Sequence, residues 1–225
     1  MGIVSHAFKL AYESEPQTGG LVGYVLNTEG NQPPQRRGGM FDYVLAADGL
    51  YLRAEREEME VCFPVAPAEV RGLAPAAPLF HFRLPHVPEN LILELVGVSA
   101  LYADSGFETL FWLEHSEMNP YDDGWLIREP EQTRTASRCR PTEGQDEAYR
   151  RAIIEIHSHH SMPAVFSTTD DRDETGFRLY GVIGRLNEAP EIRLRVGVYG
   201  YFWEIPAPEA LELPEGLSDC LETVE

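Results

Sequence analysis

Lysine is all but missing from this chain. Of eighteen basic side chains in 225 residues only Lys9 is a lysine, and the acidic side chains number 37. A formal charge of −19 repels a phosphate backbone, which excludes general nucleic-acid binding. Cysteine is scarce too. Cys62, Cys139 and Cys220 are widely spaced, form no Cys-x-x-Cys pair and make no disulfide framework, so a reducing cytoplasm is the expected compartment. Long apolar runs are absent as well. Nothing approaches the roughly eighteen uncharged residues of a membrane span. The first twenty residues, with Lys9, Glu13 and Glu15, lack the apolar stretch of a secretory leader, and His6 stands where a myristoylation signal takes Ser or Thr. No membrane partner is expected.

What is present is a chain that folds. A 43% hydrophobic composition is too apolar for an acidic disordered tail, and the length suffices for one large domain or two small ones. The first third reads as strands over 21–26, 41–46, 50–54 and 59–65, rich in Val, Leu, Tyr and Phe. Asp48-Gly49 predicts a hairpin, with Gly tolerating positive φ. Met59, Val61 and Phe63 alternate with Glu58, Glu60 and Cys62 as in a half-buried strand. Pro64, Pro67, Pro75, Pro78, Pro85 and Pro88 then predict neither helix nor interior strand, which places a domain boundary near 86.

Beyond it a helix is expected over Glu89–Asp104. Pro88 lies at its start, Leu91, Leu95, Val98 and Tyr102 recur at helical spacing, and Gly106 is its stop. Strands follow over 109–113, 125–128, 133–139 and from about 151 into His157, then over 177–185, 192–199 and 201–205. Gly200 is expected to bend the last two apart, and an acidic tail to close the chain. There is no internal repeat. The order is α+β, divided as a β-rich N-terminal domain over 1–86, a second domain over 87–206 and the tail over 207–225.

One segment carries chemistry. In a strand that includes 153–159, His157 and His159 project from the same face, half of a site for a borderline metal such as Zn²⁺. Ser167 followed by Asp170 reads as a helix start, with Asp170 in the first turn and able to reach back as a third ligand. Three protein ligands with a fourth position open define a catalytic zinc site.

His157-x-His159, seven residues, Ser167, two residues, Asp170 resembles the motif of the JAMM family of zinc isopeptidases (JAB, or MPN+). That resemblance implies a JAB/MPN-like, cytidine-deaminase-like domain with a mixed sheet and flanking helices. It also implies a single Zn²⁺ on His157, His159 and Asp170, with Ser167 donating to the tetrahedral oxyanion. The family's general base is a glutamate after the first helix, the position Glu108 occupies. The implied substrate is an amide at the C-terminus of a ubiquitin-like protein or its conjugates. More narrowly, the chain is similar to protein A of plasmid-borne PRTRC cassettes, which also encode ThiF-like (E1-like) and ubiquitin-like proteins. The match is not perfect. His160 stands where the family has Pro, offering other nitrogens near a metal, and the helix after Ser167 reads as short. Glu155 shares strand parity with the histidines, either orienting an imidazole or facing solvent.

Two further functions fit the same residues. One is a zinc hydrolase of a small peptide or amide; the other is a non-catalytic MPN scaffold working through its N-terminal region. His6, His81, His86 and His115 have no partner in the sequence and are expected as surface or satisfied core residues. Arg134, Arg138 and Arg140 form a basic stripe along one strand face, either for an acidic partner or merely solvated. The single lysine has two readings: the coding bias of a GC-rich genome, or a chain offering few acceptor amines beside a conjugation system.

Overall fold

The computed structural model describes residues 20–30, 36 and 39–221. The chain is α+β and divides between His81 and Phe82 into two compact units. Among the described residues no helix is long and apolar enough to cross a membrane.

In the first unit β1 (Val22–Leu26), β2 (Phe41–Leu45), β3 (Gly49–Arg56), β4 (Met59–Pro67) and β5 (Leu79–Phe82) lie side by side in chain order. β1 runs parallel to β2, while β2–β3 and β3–β4 are antiparallel. Val25, Val44, Ala46, Tyr51, Cys62 and Ala76 form one buried cluster. Met59, Val61 and Phe63, of opposite parity to Cys62, are fully buried as well. β4 is therefore covered on both faces rather than half-buried.

Two expectations change here. Asp48-Gly49 does link a hairpin, but Gly49 is not at positive φ. The turn is held by the Asp48 carboxylate, which accepts the Ala76 N–H and the Tyr51 hydroxyl, each at 3.1 Å. Nor does the strand expected over 59–65 stop there: β4 runs through Pro64, as expected, and on to Pro67, with a bulge opposite Leu50 and Tyr51 interrupting the ladder beside Pro64.

The second unit opens with α1 (Glu89–Asp104), which buries Leu91, Ile92, Leu95, Ser99 and Ala103 along one stripe. Pro88 sits just outside it, in extended conformation, and Gly106 ends it at φ +73° with its N–H on Ala103 O. The sheet is built from β6 (Leu110–His115), β7 (Trp125–Arg128), β10 (Ile154–His159), β11 (Phe177–Gly184), β12 (Glu191–Val198) and β13 (Tyr201–Ile205). Their order is β13-β12-β11-β10-β6-β7, with β14 (Ser218–Asp219) also on β12. Central β10 is parallel to β11 and antiparallel to β6, so the sheet is mixed.

The expected strand over 133–139 is instead a separate hairpin, β8 (Gln132–Thr135) and β9 (Arg138–Pro141). Thr135 Oγ1 accepts the Ser137 N–H and donates to Arg138 O at 2.9 Å, which turns the chain at Ala136-Ser137. The strand expected from about 151 begins at Ile154, after α2 (Asp146–Arg151), whose acidic start and basic end suit the helix dipole. Tyr199 and Gly200, both at positive φ, close a two-residue hairpin that pairs β12 with β13 rather than parting them. The segment from 207 is packed as far as Leu221. Ala207, Ala210, Leu211 and Leu217 are buried, and Asp219 accepts the Ala207 N–H at 2.9 Å.

Register sorts the sheet into two faces, since directly paired residues point the same way. Phe111 and Leu113, Ile154 and Ile156, Leu179 and Ile183, and Leu194 and Val196 make an apolar face, each at most 2% exposed. The other face carries Trp112, Glu155, His157, Tyr180 and Arg195 in paired rows. Chemistry and core are thus separated by strand parity.

Candidate metal centre

His157 and His159 lie near the C-terminal end of β10, 6% and 8% exposed, their Nε2 atoms 3.2 Å apart. β10 continues into a loop that crosses the end of β11, where a Cβ at Gly184 would overlap the backbone of Met162–Ala164. Glycine is required there. The crossing brings Pro163 O to 3.2 Å from His159 Nδ1. That carbonyl accepts a hydrogen bond from Nδ1–H, the tautomer that leaves the Nε2 lone pair for a metal. Burial pushes the His157 imidazole down to about 4, partly offset by Asp170, and burial lowers His159 as well. Both rings are neutral at pH 7, as ligation demands.

Past the loop, Ser167 and Asp170 cap each other. The Ser167 N–H donates to Asp170 Oδ2 at 2.5 Å, while Ser167 Oγ accepts the Thr169 and Asp170 N–H groups at 3.2 and 3.3 Å. This reciprocal box is what the spacing predicted, and the helix it opens, α3 (Asp170–Asp173), is a single turn. Asp170 Oδ1 comes to 3.6 Å from His157 Nε2. One ligand atom from each of His157, His159 and Asp170 falls within 4.8 Å of the others, the only such group among the described residues. Two neutral imidazoles and a carboxylate converging on one point fit a divalent metal of zinc's type.

The three open onto a cavity of about 490 Å³ that Glu108 and Ser167 also line. Glu108 follows the Gly106 stop of α1, is 4% exposed, and is fixed through its N–H to Thr135 O at 2.9 Å. Burial, with the Asp170 charge in support, pushes its carboxyl up to about 7.

Other residues fall elsewhere. His160 does not line the cavity, and its Nε2 and Nδ1 lie 2.9 Å from Ala136 O and 3.2 Å from Ser161 Oγ, so it offers no alternative nitrogen. Glu155 is buried in the cavity wall rather than solvent-facing, and it accepts the Trp112 indole N–H at 2.8 Å instead of orienting an imidazole. His115 Nε2 lies 3.0 Å from Asp123 O, a satisfied residue away from the site, and His6 lies outside the described residues. The arginine stripe is split by the β8–β9 turn. Arg134 pairs with Glu129, while Arg138 and Arg140 both hold Asp173, at 2.8 and 2.7 Å. Sequence reading also passed over Arg195, 4% exposed and bound to Glu174 and Asp171. The signal was available, since Arg193 and Arg195 alternate with Ile192, Leu194 and Val196 in a strand otherwise fit for a core.

A mixed sheet whose central strand carries two histidines, met by an aspartate from the turn that follows, defines this as a protein with a candidate metal centre. The sequence profile for prokaryotic homologs of the JAB domain matches residues 77–196, and the chain belongs to that family. No curated protein matches the chain significantly.

Proposed function

We propose that this protein is a zinc-dependent hydrolase of amide bonds. The observation that carries this reading is the convergence of His157, His159 and Asp170 beside the buried carboxyl of Glu108 in one cavity. Zinc is the metal favoured by the donor set, because two imidazoles and a carboxylate with a fourth position free is catalytic rather than structural ligation. When bound, it would polarise the scissile carbonyl and acidify a water molecule.

The chain's own groups supply the rest. Glu108, pushed up to about 7, is suited to take a proton from the attacking water and return it to the leaving amine. Ser167 Oγ accepts two backbone N–H groups, which leaves its single hydroxyl proton for the oxyanion. His159 is held in the ligating tautomer by Pro163 O.

The substrate we assign is the C-terminal amide of a ubiquitin-like protein, acted on in a cytoplasm that also holds a ThiF-like partner. Support comes from the JAMM motif and from the similarity to protein A of PRTRC cassettes. A cleft of about 490 Å³ is also of a size to take a few extended residues. The test is incubation of the zinc-loaded chain with a ubiquitin-like protein of the kind PRTRC cassettes encode, fused at its C-terminus to a fluorescent reporter. Release of the reporter is expected. Glu108→Gln should bind one zinc but release the reporter about 10²–10⁴-fold more slowly. No release by wild type with stoichiometric zinc overturns the substrate; undiminished release by Glu108→Gln moves the base, with Glu155 next in line.

A further inference from the structure

Asp170 is the one member of the metal set that no strand carries. It begins a helix of four residues, a length at which helical hydrogen bonding contributes almost no stability of its own. A ligand is useful only if it is held within roughly 0.5 Å of its working position. The rigidity must come from outside α3.

Arg195 of β12 is placed to provide it. Its Nε and Nη2 donate to Glu174 Oε2 at 2.9 and 2.6 Å, and its Nη1 donates to Asp171 Oδ1 at 2.7 Å. One guanidinium thus grips the residue after Asp170 and the residue that ends the turn. The same group is sandwiched between Phe166 at 3.8 Å and Phe202 at 3.7 Å. Phe166 precedes Ser167 and meets the His157 ring edge-on, with centroids 6.4 Å apart. Arg195 therefore touches the metal-binding segment on both sides of the Ser167–Asp170 box.

The hold is also in the right place to be strong. The Arg195 and Glu174 side chains are 5% and 4% exposed, so removing either leaves a buried charge without its partner. Arg138 and Arg140, which hold Asp173 from the hairpin, are 44% and 57% exposed and contribute little.

We propose that Arg195 is a positioning residue for the metal centre, clamping the Phe166–Glu174 segment so that Asp170 meets the two histidines as third ligand. It rests on the metal-binding reading above, and it extends that reading to a residue outside the His-x-His and Ser-x-x-Asp pattern.

The test is competition for zinc between the full chain and a chromophoric chelator, with visible absorption of the Co²⁺ form as the report on coordination. Arg195→Met should bind zinc about 10- to 100-fold more weakly. Its cobalt spectrum should move towards that of Asp170→Asn, a change that general loosening of the fold would not produce. Arg195→Lys keeps the charge but not the fork, so it should recover only part of the affinity. Should Arg195→Met not fold, Arg195→Lys and Glu174→Gln carry the same comparison. Unchanged zinc affinity and cobalt spectrum in folded Arg195 variants overturn the proposal alone. A wild-type chain that takes up no zinc overturns the metal-binding reading and the proposal with it.

Discussion

The proposed function gives Ser167 two jobs on different atoms. Its oxygen accepts the Thr169 and Asp170 N–H groups and so holds the turn, while its proton would be left for substrate. Ser167→Ala removes both. The capping loss is worth about 1 kcal/mol, and the missing oxyanion donor should lower turnover about 10²–10³-fold. Zinc content measured on the same sample separates the two. A variant that keeps its zinc and its full turnover would remove Ser167 from the chemistry. Spacing made this residue readable, because the box of Ser167 and Asp170 is local, three residues apart on one chain segment. Glu108 was located by its place after the α1 stop, but its burial was not readable, since that depends on Thr135 O and the β8–β9 hairpin closing over it.

Among elements, β10 determines the most. Its six residues are all buried, Ile154 and Ile156 on the apolar face and Glu155, His157 and His159 on the other. Ile156 lies so close to Gly181 that a Cβ there would come within 3.0 Å of its Cγ1, so the packing has no slack. Ile156→Ala should cost about 2–5 kcal/mol in urea unfolding; a loss below about 1 kcal/mol would mean the sheet closes over the gap. Period-two alternation exposed strands of this kind, and Pro88 and Gly106 bounded α1, although its buried stripe runs through Ser99 and Ala103 rather than the expected Val98 and Tyr102. The reading failed at the hairpin, where a run of Thr and Arg concealed a side-chain turn at Thr135, and at α2, whose half-exposed faces carry little periodicity.

At the scale of the whole molecule the site links folding to protons and metal. His157 is held at about 4 and His159 is lowered, both chiefly by burial, whereas an unfolded histidine titrates near 6.5. Between those values the unfolded chain binds more protons than the folded one. The metal-free protein therefore gains stability as pH rises through the window and loses it as pH falls towards 4. Zinc at a hundredfold excess over its Kd should add about 2.7 kcal/mol at neutral pH. Melting curves check both: zinc should raise Tm at pH 7.5, and His157→Gln should flatten the slope between pH 6.5 and 4. Equal Tm with and without zinc would count against the metal centre.

By itself the sequence determined the periodic elements, the His157-x-His159 pair on one strand face and the Ser167–Asp170 box. All of these are set by interactions between residues a few positions apart. The tertiary structure decided which groups became partners across the chain: the Arg195 grip on Asp171 and Glu174, the Pro163 carbonyl on His159, Glu155 on Trp112, and the pairing of Arg138 and Arg140 with Asp173. The −19 charge first served only to exclude nucleic acid. Within the fold, three arginines are spent on the acids beside the candidate metal centre, Arg195 on Glu174 and Asp171 and Arg138 and Arg140 on Asp173, because a buried carboxylate such as Glu174 needs a cation and only the folded chain brings one within reach.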